Sequence, residues 1–335
     1  MRAVLLHKIG EQLQVEQVPD PTPPPGGAVV RLETAALNHR DEFIRVGLYA
    51  KIQLPAILGS DGAGVVESVA SGVPSSWVGR KVVVNPSDGW GPDPRAQDTK
   101  TFLIRGMPKQ GTFAEKIALP LDRLEAMPEH LSWPEAAALP LAGVTAYRAL
   151  VTRGELKKGD HVLVTGIGGG VATVVMLLAQ ALGAEVSVTS GSEEKLRRAR
   201  EMGAIAAVSY KEKGWEKELA QQARRPPSVI IDSAGGPDFA ALVNAVGPGG
   251  KIVTYGATRG PAEKLELTRV FFKQVDIRGS TMGTDDEFRA MLRLVERERV
   301  RPIVDHVFPL SQAAEANRRL AQSEQMGKIV LNCRA

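Results

Sequence analysis

The stretch from His161 to Lys195, HVLVTGIGGGVATVVMLLAQALGAEVSVTSGSEEK, constrains the chain more than any other. An apolar run, His161 to Thr165, has the length of one buried strand. A turn follows, Gly166-Ile167-Gly168-Gly169-Gly170-Val171-Ala172, then a helical apolar pattern through Val175, Leu178 and Leu182. A second β-rich run, Glu185 to Thr189, closes the unit. Strand, glycine turn, helix and strand in about thirty residues is the βαβ pattern of a dinucleotide-binding half-sheet. In such a turn one position takes positive φ, another lets backbone approach a pyrophosphate, and the last is small so that helix and strand pack closely. The spacing is Gly166-x-x-Gly169-x-x-Ala172 rather than GxGxxG, and alanine meets the packing requirement. Amide N–H groups at the helix start then point at the phosphates, with the helix dipole behind them.

The second strand's tip bears on which nicotinamide cofactor is used. An NAD site places Asp or Glu there to accept from the ribose 2′-hydroxyl. This chain has Thr189-Ser190-Gly191-Ser192, with Glu193 and Glu194 falling on the following helix and Lys195, Arg197 and Arg198 after them. Hydroxyl donors and cations suit a 2′-phosphate, which a carboxylate at the tip repels. The expected cofactor is therefore NADP(H). The alternative is that these charges belong to an ordinary solvated helix.

A length of 335 residues accommodates two domains, each with its own core. The net charge of +4 and the absence of a dense Lys/Arg run give no support to nucleic-acid binding. The N-terminal MRAVLLHKIGEQLQVE breaks its apolar patch with His7 and Lys8, unlike a signal peptide, and no apolar stretch is long enough for a bilayer. A soluble, cytoplasmic protein without a membrane partner is expected. The single cysteine, Cys333, excludes an intrachain disulfide, a Cys-rich zinc cluster and a CxxC pair. Its place after the apolar KIVLN suggests a buried filler.

Residues 1 to about 130 read as mostly β, with runs such as Arg2–Leu6, Ala28–Thr34, Gly64–Val69, Lys81–Asn85 and Thr112–Leu119 between Gly and Pro clusters. The segment 85–110 lacks periodicity and reads as a long surface loop. Ser132-Trp133-Pro134-Glu135 has capping-box spacing, and a second helix is expected over 143–153. Six strands then alternate with helices: His161–Thr165, Glu185–Thr189, Ala206–Ser209, Ser228–Asp232, Lys251–Tyr255 and Asp276–Gly279. This is an α/β pattern with a doubly wound parallel sheet. After it come a helix from Asp285, with Phe288, Met291, Leu292 and Val295 on one face, a second near 311–322, and a strand from Lys328 to Asn332. The reading places a cofactor domain, 136–282, between two parts of a catalytic domain, 1–135 and 283–335.

ALNHRDEFIRVGLY (36–49), GSDGAGVV (59–66), GTFAEKIALP (111–120), LPLAGVTAYRAL (139–150), VTGIGGGVA (164–172), IIDSAGG (230–236), VTYGAT (253–258), FFKQ (271–274), GSTMG (279–283) and MGKIVL (326–331) stand in an order and spacing that span nearly the full chain. Together they resemble the medium-chain dehydrogenase/reductase superfamily, in the branch of zinc-type alcohol dehydrogenase-like proteins and quinone oxidoreductases. The resemblance implies a GroES-like, mostly-β catalytic domain, a Rossmann cofactor domain and a homodimer joined through strand edges of the cofactor domain. In zinc-dependent relatives the positions matching Asn38, Ser60 and Leu141 carry Cys, His and Cys ligands, and a four-Cys lobe matches the Cys-free 85–110 segment. No metal site is expected here, since zinc takes thiolate, imidazole or carboxylate; a site from His39, Asp41 and Asp61 is the remote alternative.

The loss of those ligands changes the chemistry. Alcohol oxidation requires alkoxide formation, which zinc supports as a Lewis acid. Without it, hydride goes to a carbon that is already electrophilic: the β-carbon of an enone, alkenal or enoyl thioester, or a quinone. The resemblance implies the same small-molecule electrophile as substrate. The alternatives are a zinc-independent alcohol or aldehyde oxidoreductase and a non-catalytic NADPH-binding sensor. By resemblance, Gly166, Gly169, Gly170 and Ala172 cradle the pyrophosphate, and Ser190, Lys195 and Tyr210 hold the 2′-phosphate. Thr145 lies by the nicotinamide; Tyr255, Gly256 and Ala257 form the turn beside its ribose; Phe271 and Phe272 are backbone partners of its carboxamide; Lys328 reaches the pyrophosphate. Asn38 stands in the lost ligand's place as an amide donor, Tyr49 is a candidate donor, and Phe43 replaces a tyrosine of some quinone reductases. Arg40 either attracts an anionic substrate or pairs with Asp41.

Overall fold

A computed structural model describes all residues, 1–335, in two units: Met1–Ala142 with Thr284–Ala335, and Gly143–Gly283. In the second unit six parallel strands lie in the order Ala206–Ser209, Glu185–Ser190, His161–Val164, Val229–Asp232, Lys251–Thr254 and Asp276–Gly279. The strand that comes first in sequence is third in space, so the winding reverses between His161–Val164 and Val229–Asp232, where ligands bind such sheets. Helices cover both faces, which is why Val162, Leu163, Val164, Ile230 and Ile231 are all buried and the strands read as apolar runs without alternation. These six strands lie where expected, with ends shifted by a residue at most. The expected helix over 143–153 is an α-helix, Pro140–Tyr147, running into a π-helix, Arg148–Arg153.

Helix Gly170–Ala181 buries Ala172, Val174, Val175, Met176 and Leu178 against the sheet. Helix Glu193–Glu201 fully buries only Leu196 and Ala199, with Lys195 and Arg198 half-buried and the rest exposed. On that outer side Arg197 pairs with Glu194 at 2.7 Å and with Glu201. Arg197 therefore belongs to the helix surface rather than to a phosphate site.

The first unit is built on a seven-stranded sheet in which strand Gly27–Ala36 pairs antiparallel with Asp61–Val69, Lys116–Pro120 and Lys328–Asn332. The last of these brings the chain's end into the sheet made by its beginning. Val30, Leu32, Leu58, Phe113, Leu119 and Leu331 pack in its core, with Cys333 fully buried among them. Ser132 caps helix Trp133–Ala138 as its spacing predicts, its N–H donating to Glu135 Oε2 at 2.7 Å. Thr284 caps helix Asp285–Glu298, its N–H donating to Glu287 Oε2 at 2.7 Å and its Oγ1 accepting the Glu287 N–H at 3.1 Å, and Phe288, Met291, Leu292 and Val295 of that helix are buried.

The segment 85–110 is more ordered than its lack of periodicity predicts. Short strands Ser87–Asp88 and Leu103–Ile104 pair, and Trp90 packs edge-on against Phe102 with centroids 5.4 Å apart. Arg105, 4% exposed, donates to Asp88 Oδ2 at 2.8 Å, and Arg123 donates to the Ser87 carbonyl at 2.8 Å. No helix of the chain is long and apolar enough to cross a membrane.

Candidate functional site

In the second unit the glycine turn joins strand His161–Val164 to helix Gly170–Ala181. Gly166 has φ +63° and Gly168 φ +130°, conformations that side-chain-bearing residues rarely adopt. The turn is tied to the neighbouring strand by the Ile167 N–H on the Thr189 carbonyl, 2.8 Å, and the Gly166 N–H on Thr189 Oγ1, 3.2 Å. At Gly166 and Gly169 no atom beyond the adjoining residues lies within 4 Å of where a side chain would begin, so backbone is open to close approach. With the unpaired N–H groups of the first helical turn at Gly170, Val171 and Ala172, these residues fit a pyrophosphate.

The strand-tip residues gather around the same turn. A methyl group on Gly168 would lie 2.7 Å from Lys195 Cδ and 3.0 Å from its Nζ, so the Lys195 side chain lies across the glycine turn. Ser190, 4% exposed, accepts the Ser192 N–H at 3.2 Å, and its carbonyl accepts from the Tyr210 N–H at 3.3 Å. A methyl group on Gly191 would meet both Tyr210 Oη, at 2.7 Å, and Lys211 Cε, at 2.8 Å. The structure thus brings Ser190, Lys195 and Tyr210 together and adds Lys211, which the sequence reading missed. Arg259 is a second omission, its guanidinium 5.4 Å from the Tyr210 ring centroid. Lys211 follows directly after Tyr210, whereas nothing local marks Arg259. Gly168 stands outside the Gly166-x-x-Gly169-x-x-Ala172 spacing, yet it is the second position of the turn with positive φ.

The remaining cofactor candidates of this unit are distributed as follows. Thr145 is 5% exposed, with Oγ1 3.8 Å from the sulfur of Met282. Tyr255 donates its N–H to the Asp232 carbonyl at 3.0 Å, and burial holds its hydroxyl, paired with Ser233, well above the ordinary phenol range. Gly256 and Ala257 continue that turn, which Arg259 N–H closes on the Ala234 carbonyl at 2.8 Å. Phe271 and Phe272 end helix Leu267–Phe272 with side chains 67% and 82% exposed. The Phe271 carbonyl already accepts from Gln274.

In the first unit a buried polar cluster forms where helix His39–Arg45 meets the start of strand Asp61–Val69. Lys328, 3% exposed, donates to the Leu37 carbonyl and Asn38 Oδ1, each at 2.6 Å, and to Asp61 Oδ2 at 2.9 Å. Asn38 Nδ2 donates to the same Asp61 oxygen at 2.9 Å, and Asp61 Oδ1 accepts the Leu141 N–H at 2.7 Å. Lysine only donates and carboxylate only accepts, so the Asn38 amide has one possible orientation. All three ammonium hydrogens of Lys328 are spent inside the unit. Contact with a pyrophosphate requires it to give one up, so its place is that of an interior cation.

Asp41 is fully buried, accepting the Asn38 N–H at 2.8 Å and the Gly59 N–H at 3.2 Å. Gly59 has φ +92°, and a side chain there would strike the Phe113 ring. Burial raises the Asp41 carboxyl to about 6, against the lowering pull of Arg40, Lys328 and its two N–H donors. The folded chain then keeps this proton to higher pH than the unfolded one. Its contribution favours folding at low pH and is withdrawn as pH rises from about 4 to about 6, a loss approaching ~3 kcal/mol. Denaturant unfolding across that range is expected to show wild type losing stability relative to Asp41→Asn; a constant difference would contradict the assignment.

Arg40, 8% exposed, makes no hydrogen bond to Asp41. Nη1 donates to the Arg105 carbonyl at 2.9 Å and lies 3.5 Å from Ser60 Oγ; Nη2 donates to the carbonyls of Ile104, 3.1 Å, and Met107, 2.9 Å. Its Nε donates to Tyr49 Oη at 3.2 Å. Positions 38, 60 and 141 carry an amide, a hydroxyl and an isobutyl group, with this guanidinium beside the second. Such a donor set does not fit zinc. The alternative trio is no better, since Asp41 and Asp61 are committed to N–H donors and Lys328, and no group of three or more His, Cys, Asp or Glu is placed to hold a metal.

Two family models match the chain: an alcohol dehydrogenase GroES-like domain over residues 24–129 and a zinc-binding dehydrogenase over residues 170–297. The chain is 37% identical to the zinc-type alcohol dehydrogenase-like protein YogA of Leptosphaeria maculans, over 95% of this chain and 94% of that protein. A solved NAD-dependent alcohol dehydrogenase is similar at a TM-score of 0.93 and 38% identity, with 99% of each chain covered. The 2-octenoyl-CoA carboxylase reductase CinF, solved in complex with NADP and 2-octenoyl-CoA, is similar at a TM-score of 0.87 and 26% identity, covering 99% of this chain and 87% of that one.

Proposed function

This chain belongs to the medium-chain dehydrogenase/reductase superfamily, and from that membership we propose an NADPH-dependent, zinc-independent reductase that delivers hydride to an activated C=C bond or a quinone. That it is an oxidoreductase with a nicotinamide-binding fold follows from the family. The finer reading is carried by one observation: the three positions that hold zinc in metal-dependent relatives carry Asn38, Ser60 and Leu141, with the Arg40 guanidinium 3.5 Å from Ser60 Oγ. NADPH rather than NADH is supported by Ser190 in place of a carboxylate, and by Lys195, Tyr210 and Lys211 near the strand tip. CinF, with its NADP and enoyl thioester, supplies a relative in which that pairing occurs.

When bound, NADPH supplies the hydride. Gly166, Gly169, Gly170 and Ala172 would hold its pyrophosphate, and Thr145 with the 255–257 turn would border the nicotinamide end. Asn38, fixed in one orientation by Lys328 and Asp61, and Tyr49 present N–H and O–H donors to the substrate's oxygen, where negative charge grows as hydride adds to the β-carbon. Water supplies the proton at the α-carbon. The sum is NADPH, one proton and the C=C substrate going to NADP⁺ and the saturated product. We also read the cytoplasm as its compartment, and a homodimer through the Asp276–Gly279 strand edge, where Ile277, Phe271 and Phe272 are exposed.

An NADPH-oxidation screen over quinones, alkenals and enoyl thioesters, with NADH as comparator, tests the reading. At least one class is expected to turn over, with NADPH preferred by about tenfold or more, equivalent to roughly 1.4 kcal/mol. The likeness to an NAD-dependent alcohol dehydrogenase favours a rival, zinc-independent alcohol or aldehyde oxidoreduction. Turnover of alcohols alone, with NAD, would establish the rival instead.

A further inference from the structure

Arg40 is a buried cation with no carboxylate among its hydrogen-bond partners. Its five N–H groups meet five neutral acceptors: Tyr49 Oη, Ser60 Oγ and the carbonyls of Ile104, Arg105 and Met107. Three of these are main chain from one loop, more than sixty residues along the sequence. Burying a charge on neutral dipoles is costly and persists only where the surroundings over-determine it. A guanidinium so occupied has no N–H left for an anion, which removes substrate attraction as its direct task.

What it leaves free is the hydrogen of its neighbour. The guanidinium lies over the half-buried Tyr49 ring, 4.8 Å from the centroid, while Nε donates to the phenol oxygen at 3.2 Å. Guanidinium has no acceptor, so the phenol O–H cannot turn back onto it and must donate elsewhere. The fixed positive charge also polarises that O–H toward any oxygen that gains negative charge. We propose that Arg40 is a positioning residue, a bracket between the 104–107 loop and Tyr49 that holds the Tyr49 hydroxyl as an obligate donor to the substrate's oxygen. This rests on the reductase reading above; Arg40 itself touches neither substrate nor cofactor.

The test is a double-substitution cycle on the full chain: Tyr49→Phe, Arg40→Met, Arg40→Lys and Arg40→Met/Tyr49→Phe, with kcat and KM measured for an enone and a quinone. Tyr49→Phe is expected to lower kcat roughly 100-fold while KM for NADPH stays unchanged. Arg40→Met should lower kcat in the wild-type background and have little further effect when Tyr49 is already Phe, because residues acting through one another are non-additive. Arg40→Lys should recover part of the loss. Additive losses, or full activity in Tyr49→Phe, overturn the proposal.

A second measurement does not need turnover. The chain has four tyrosines, so fluorotyrosine labelling gives four ¹⁹F resonances, with that of Tyr49 identified by its loss in Tyr49→Phe. The Tyr49 line should shift and broaden in Arg40→Met and return toward wild type in Arg40→Lys. An unchanged line refutes the bracket even if no substrate is found, whereas a shifted line with no turnover refutes only the reductase reading. Should Arg40→Met fail to fold, Arg40→Lys with and without Tyr49→Phe gives the same comparison.

Discussion

Replacing Lys328 with methionine is expected to destabilise the chain by about 3–5 kcal/mol, the usual cost of breaking one partner out of a buried ion pair. Both partners are sealed, with side chains 3% and 0% exposed. Without the ammonium, Asp61 keeps only N–H donors, from Asn38 and Leu141, and becomes a buried anion with no cation. Asn38 Oδ1 loses its donor as well, which frees the amide to turn. The pair's own net worth is small, since the Coulomb gain is largely offset by desolvation; the penalty comes from stranding a charge. The double variant Lys328→Met/Asp61→Asn is therefore expected to recover more than half the loss. Urea unfolding of the three proteins measures this, and a Lys328→Met effect below ~1 kcal/mol, the scale of an exposed pair, would contradict it.

Ser190→Asp is expected to lower kcat/KM for NADPH about 100-fold, close to 3 kcal/mol of transition-state binding, while changing NADH far less. The new carboxylate would stand at the strand tip, beside Gly191 and the Tyr210 hydroxyl, where it can accept from a ribose hydroxyl but repels a 2′-phosphate. Lys195, lying across Gly168, becomes its partner and is drawn from the phosphate. Steady-state kinetics with both cofactors decide the matter. An NADPH value unchanged within threefold would mean that the phosphate lies elsewhere.

The parts of this molecule written in local pattern were legible. The βαβ stretch declared itself because a glycine turn, a helical period and two apolar strands are contiguous, and the Ser132–Glu135 capping box was readable from its three-residue spacing. What escaped depends on contacts between distant residues. The order in 85–110 comes from Arg105 on Asp88, Arg123 on the Ser87 carbonyl and Trp90 on Phe102, none of which leaves a periodicity. Arg40 offered two roles from its neighbours, an anion or Asp41, and took a third, because carbonyls have no sequence signature. Lys328 matched a basic position of the family, but only the register of its strand beside Gly27–Ala36 reveals that its charge points inward to Asp61. Arg259 meets the Tyr210 ring from a distant part of the chain rather than through any motif, whereas Lys211 is simply the next residue.

The central claim is that hydride transfer proceeds here without a metal. It is tested most directly by metal analysis of the purified protein combined with NADPH-dependent turnover before and after exhaustive chelation. The account predicts substoichiometric metal and the same rate on both sides of the treatment. Zinc held one per chain beside Asn38 and Ser60, with turnover lost on stripping and restored by zinc alone, would contradict it.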